Sequence, residues 1–281
     1  MPVPVVQTKD GRRRPQVRVA PPQKDFYAGP LMVLVDRGAA SATEILAACL
    51  QDTGRAVVVG DPGTHGKGTV QAVLDLANLP TIKNNRNFLE GKAPGSLKVT
   101  IQKFYRITGD STQIRGVTPD IQFPSFLMAF KNSEGDLPHV LPWDKISPAS
   151  AIPRQTRLRA YLPELRKFCQ GYMAEDAAFR RYVQDVEEYT AFRRQKMLPL
   201  QMEARRVYRE KEMTLARKFR HYQPERNAEE RERLHDADEA LYDDGAPRED
   251  VVLQASLAIM GKMMDIDQRE SETAFSIPRR R

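Results

Sequence analysis

The stretch GPLMVLVDRGAASATEILAACLQDTGRAVVVGDPGTHGKGTVQAVLDL, Gly29–Leu76, decides how this chain folds. Its first apolar run, Leu31 to Asp36, is rich in strand formers and bears the pattern of a strand buried in a parallel sheet. From Ala42 to Thr53 apolar residues return at helical spacing, and Gly54 stands where a helix-stopping glycine belongs. A second apolar run, Ala56 to Gly60, follows, so the stretch reads as a β-α-β unit.

In such a unit the strand's carboxyl end and the next helix's amino end face the crevice where ligands bind, and Ser41 falls there. The first helical amides carry partial positive charge and suit an oxyanion beside Ser41. No other serine occurs before Ser96, so Ser41 is the one candidate nucleophile in this half of the chain. It also opens an S-x-x-E sequence with Glu44, the signature of a capping box in which both side chains only satisfy helix-end amides.

The glycine-flanked lysine downstream adds chemistry that a cap does not need. Gly66-Lys67-Gly68 follows the second strand after a short turn, and Val70 to Leu76 alternates as a strand. If that strand starts at the lysine, Lys67, Thr69 and Gln71 share a face, with Cα atoms of the outer pair roughly 13 Å apart. Lys67 is then the candidate general base for Ser41, with Gln71 holding the amine. A free lysine has a pKa of about 10.4, so the site is expected to be dry enough to lower it. A P-loop is ruled out twice: Gly60 lies one residue too far from Gly66, and Gly68 replaces the hydroxyl residue. A Ser-His-Asp triad would recruit His65 with Asp52 or Asp61, although no spacing favours it.

Ser41-Ala42-Thr43-Glu44-Ile45, Gln51-Asp52, Gly54-Arg55-Ala56, Val59-Gly60 and Thr64-His65-Gly66-Lys67-Gly68-Thr69-Val70-Gln71 together resemble the signature of the C-terminal processing peptidases. Thr100 to Arg106, Gly116 to Ile121 and Leu141-Pro142-Trp143-Asp144 point to the tail-specific protease branch. The resemblance implies a partial crotonase-like α/β protease core over residues 1–123, a linker over 124–153 and a helical C-terminal domain over 154–281. It makes Ser41 the nucleophile, Lys67 the base and Gln71 its orienting partner. Ala42 becomes the oxyanion amide, and Glu44, Asp52 and Thr64 support the site. Ala39, Thr43, Gly63 and His65 depart from the family pattern. The family's upstream glycine-rich oxyanion segment and its PDZ domain find no counterpart between Met1 and Tyr27, which reads as an N-terminally truncated chain.

The implied activity is Ser-Lys endopeptidase cleavage of proteins with accessible apolar C-terminal tails, with protein or peptide substrates and an adaptor protein as the partners to look for. The competing expectation is an inactive fragment that serves as a binding or assembly module. A crotonase-like acyl-thioester enzyme, needing coenzyme A and not Lys67, is a third. Resemblance places the work in the bacterial cell envelope, in the periplasm, although no export signal is present.

The rest of the chain narrows these choices. Its 281 residues, 41% hydrophobic and 29% charged, are globular in composition. The net charge of +7 comes with interleaved acids and no nucleic-acid signature, so nucleic acid is not an expected partner. No run is long enough to span a bilayer. Cys49 and Cys169 lie far apart, and His65, His139, His221 and His235 are scattered, so neither disulfide, metal nor other cofactor is expected.

Pro4–Gln7 and Val17–Val19 read as a hairpin, Leu97–Ile107 as a strand, and Val117–Ile121 as the strand that closes the sheet behind the crevice. Between Leu76 and Ser96 the sequence turns polar, with Asn84-Asn85 and Pro94-Gly95, and reads as a surface loop. Arg157–Tyr172, Glu175–Met197, Leu198–His221 and Asp250–Ile266 carry the apolar stripe of amphipathic helices, and the charged Arg226–Tyr242 reads as an exposed one.

Overall fold

The computed structural model describes residues 3–21, 27–83, 93–150, 152, 155–222 and 249–276. The part of the expected loop at 84–92 and the expected Arg226–Tyr242 helix lie outside the described residues. The rest forms a mixed α/β region followed by a helical one.

The expected β-α-β unit is present. β3 (Met32–Val35) leads through a turn to α1 (Ala42–Asp52) and then to β4 (Val57–Gly60), which pairs with β3 in parallel. The hairpin also forms, as β1 (Val3–Lys9) against β2 (Gln16–Ala20). β5 (Thr69–Asp75) and β6 (Ser96–Tyr105) are antiparallel, with a short α2 (Pro80–Lys83) between them.

The strands divide into two sheets. One is antiparallel in the order β2-β1-β6-β5; the other is parallel, β3-β4-β7, with β7 only Ile121–Gln122. The strand expected over Val117–Ile121 is shorter because its first residues bond elsewhere. Val117 trades backbone and hydroxyl hydrogen bonds with Thr64. Asp120 takes the Val58 amide on its side chain at 2.9 Å, replacing a backbone rung of the ladder.

The helical region comprises α3 (Arg157–Glu175), α4 (Ala177–Arg193), α5 (Met202–His221) and α6 (Val251–Ser276). Val57, Val59, Ile121 and Phe123 of the parallel sheet share one buried cluster with Leu165, Phe179, Leu215, Ile259 and Met263 of these helices. Residues expected as a linker contribute to it. Phe126, from a one-turn helix at Phe126–Ala129, lies against the rings of Tyr182, Tyr189, Phe219 and Tyr222 at centroid distances of 5.2–5.8 Å. Farther along, the Trp143 indole donates to the Ser111 carbonyl at 2.8 Å and lies under Arg115. The region thus lies against the core through the burial of Phe126 and the Trp143 contacts, while Met128, Leu137 and Leu141 stay exposed.

Candidate active site

The turn from β3 into α1 delivers Ser41 to the carboxyl end of the parallel sheet. Asp36 shapes that turn by accepting the amides of Gly38 and Ala39, both at 2.9 Å. Ser41 itself has φ +57° and ψ −111°. A side chain that tolerates positive φ poorly is held there only when its surroundings over-determine it, and such positions concentrate at functional sites. Its hydroxyl approaches the Glu44 amide without an aligned cap bond, while its own N–H donates to Glu44 Oε2 at 2.8 Å.

Glu44 does more than cap. Its side chain is fully buried and accepts four hydrogen bonds, from the amides of Ser41, Gly66 and Lys67 and from the Thr64 hydroxyl. Thr64 Oγ1 accepts the Val117 amide, so its single proton is free to go to Glu44. Burial pushes the Glu44 carboxyl up, and these four donors pull it back toward the ionised form that can accept them all. The Ser41 and Lys67 nitrogens lie 2.8 and 2.9 Å from the same oxygen, hence within about 6 Å of one another. One carboxylate therefore holds the candidate nucleophile and the candidate base side by side.

Other bonds join the same two segments. Arg37 donates its amide to Asp61 at 2.8 Å and its guanidinium to the Thr64 carbonyl at 2.9 Å; the His65 amide donates to Ala39 O at 2.9 Å. Burial pushes the Asp61 carboxyl up against the Arg37 amide that lowers it. Ala42 opens α1, so its N–H has no intrahelical acceptor.

Two expected site residues stand apart. Asp52 closes α1 about 16 Å along its axis from Ser41, where Arg106 binds it through two nitrogens at 2.6 and 3.0 Å. It fastens the helix's far end and does not touch the site. Gln71 is exposed, and among the described residues its side chain has no hydrogen-bond partner. β5 begins only at Thr69, which is buried, so Lys67 lies ahead of the strand and the face that spacing was to give Lys67 and Gln71 in common does not reach the lysine. Nothing among the described residues holds the Lys67 amine, and the side chain is half-buried where a dry enclosure was expected.

His65 is not served by the acids proposed for it. Asp52 is taken by Arg106 and Asp61 by Arg37, while His65 Nδ1 faces Glu134 at 3.9 Å without a hydrogen bond. Among the described residues no group of three or more His, Cys, Asp or Glu side chains could hold a metal ion.

Sequence reasoning missed Gln113 and Glu134. Gln113 is 0% exposed, accepts the Gly68 amide at 2.7 Å and donates to Glu134 at 3.1 Å. It lies in a polar turn, Ser111 to Gly116, whose composition predicts exposure, so no periodicity marks it.

Compared with known proteins, residues 2–123 match Peptidase family S41, and residues 129–265 match the C-terminal domain of tail specific protease. The tail-specific protease of Haemophilus influenzae is 41% identical over 150 residues, covering 52% of this chain and 20% of that protein. The carboxy-terminal-processing protease of Bartonella bacilliformis is 37% identical over 92 residues, 33% of this chain and 18% of that one. A solved photosystem II D1 C-terminal processing protease, 30% identical, covers 43% of this chain and 28% of its own with a TM-score of 0.36. The matches span about a fifth of the length of the two curated relatives.

Proposed function

The chain belongs to peptidase family S41 and carries a tail-specific protease C-terminal domain, and from that premise we propose that it supplies the Ser-Lys centre of an endopeptidase acting on protein C-terminal tails. The observation that carries this reading is the Glu44 carboxylate, which binds the backbones of Ser41 and Lys67 with one oxygen. A helix cap alone has no use for the second of these bonds.

In this mechanism Ser41 Oγ attacks a peptide carbonyl while Lys67, in its uncharged form, takes the hydroxyl proton. The tetrahedral oxyanion is met by the Ala42 amide and by the positive end of α1. The C–N bond then breaks, Lys67 returns the proton to the leaving amine, and water repeats the sequence on the Ser41 ester. The resemblance assigns Gln71 to orient the Lys67 amine, and its side chain stands exposed on β5.

A fluorophosphonate probe tests the proposal because it bonds only to an activated serine. The folded chain should be labelled at Ser41, and Ser41→Ala and Lys67→Ala should each abolish labelling while leaving the circular dichroism spectrum unchanged. Labelling lost in His65→Ala but kept in Lys67→Ala would move the base role to histidine. No labelling of a folded chain would favour a binding or assembly module instead.

A further inference from the structure

We propose that Gln113 is a positioning residue for Lys67, with Glu134 deciding which way its carboxamide faces; this rests on the reading of Lys67 as the base. Gly66-Lys67-Gly68 lies in neither helix nor strand, so the aim of the lysine must be set by groups outside the segment. Glu44 holds the amides of Gly66 and Lys67 from the Ser41 side. From the opposite side the Ile114 amide donates to the Gly66 carbonyl at 2.7 Å, and Gln113 Oε1 accepts the Gly68 amide at 2.7 Å from 45 residues downstream. Peptide groups on both sides of Lys67 are thereby fixed.

The flanking glycines exist for the same backing. A Cβ on Gly68 would stand 2.6 Å from the Gln113 nitrogen, and one on Gly66, whose φ is +91°, 2.6 Å from the Ile114 carbonyl. Side chains there would push the lysine segment off the 113–114 backbone.

A carboxamide has a donor end and an acceptor end, and only one orientation serves Gly68. Glu134 as carboxylate can only accept, so Gln113 Nε2 turns to it at 3.1 Å and leaves Oε1 for the Gly68 amide. The flipped amide would set donor against donor at Gly68 and acceptor against acceptor at Glu134. The Glu134 amide also donates to the His65 carbonyl at 3.0 Å, holding the loop two residues ahead of Lys67. Gln113 touches no reacting atom in this account; it acts through the backbone that carries the amine.

The test uses the full chain, a fluorophosphonate titrated to saturation, and amide hydrogen exchange over Gly66 to Gly68. Gln113→Ala and Glu134→Leu should slow the bonding step at saturation by about tenfold to hundredfold, as a displacement near 1 Å does, without changing the half-saturating probe concentration. Glu134→Gln keeps an acceptor for Gln113 and should restore both the rate and the exchange protection. Should Gln113→Ala fail to fold, Gln113→Asn withdraws the same groups by one methylene and should slow the step likewise. Wild-type labelling in folded Gln113→Ala, or a Glu134→Gln chain as slow as Glu134→Leu, would overturn the proposal and leave the peptidase reading intact. If the wild-type chain is never labelled, the peptidase reading fails alone: faster exchange at Gly68 in Gln113→Ala still supports the positioning contact, and unchanged exchange refutes it.

Discussion

Ser41 shows how one residue can carry two readings until its backbone is known. As a cap, S-x-x-E asks for an extended residue whose hydroxyl accepts an amide; both contacts of the box are present between Ser41 and Glu44, while the φ of +57° departs from the extended backbone of an ordinary cap. Glu44 is the half of the motif with more to do, because its side chain reaches across to the lysine segment. Asp61 permits a test at the same scale. Burial raises its carboxyl above the ordinary range, so the native state keeps a proton that the unfolded chain releases near pH 4. Folded protein then binds more protons than unfolded in that window, and stability should fall as pH rises through it. Urea midpoints measured from pH 3.5 upward should show this slope, shallower in Asp61→Asn, which can still accept the Arg37 amide; an unchanged slope would show that Asp61 titrates normally.

At the scale of elements, α1 is held at both ends by acids with different tasks. Glu44 at its start serves the site, and Asp52 at its end is paired with Arg106, next to the Gln51 carbonyl that accepts from Arg159 of α3. A buried carboxylate stripped of its partner is costly, so Arg106→Ala should destabilise the fold by about 3–5 kcal/mol. The double variant Arg106→Met with Asp52→Leu should regain most of that loss. Labelling of Ser41 in whatever fraction stays folded should be unaffected, separating a structural Asp52 from a catalytic one. A folded Arg106→Ala chain that denatures like wild type would reassign the pair to the exposed surface class. β5 supplies the opposite lesson: its alternation is legible in the sequence, but the strand starts two residues past Lys67, so the spacing that gave Lys67 and Gln71 one face does not apply to the lysine.

Over the whole molecule, core and helices share one apolar cluster, and Phe126 packs there against the rings of Tyr182, Tyr189, Phe219 and Tyr222. Truncating a buried phenylalanine typically costs about 3–5 kcal/mol. Phe126→Ala should therefore lower the melting temperature, and because both regions lose the same packing, sheet and helix signals should move together. Separate transitions would mean that the two regions fold on their own. Among the described residues no helix is long and apolar enough to cross a membrane.

The sequence by itself determined the β-α-β unit, the hairpin, the four amphipathic helices and the segments that hold Ser41 and Lys67, because local periodicity and glycine punctuation set elements over a few residues. Only the tertiary structure decided which polar groups meet. Gln113 and Glu134 are buried, and Arg106 half-buried, by contacts made far along the chain; Asp52 lies a helix length from Ser41, and Gln71 lies on a strand that begins after Lys67. Hydrogen bonds and ion pairs reach only about 3–4 Å, so their partners depend on how distant segments pack, and no spacing within one segment encodes that.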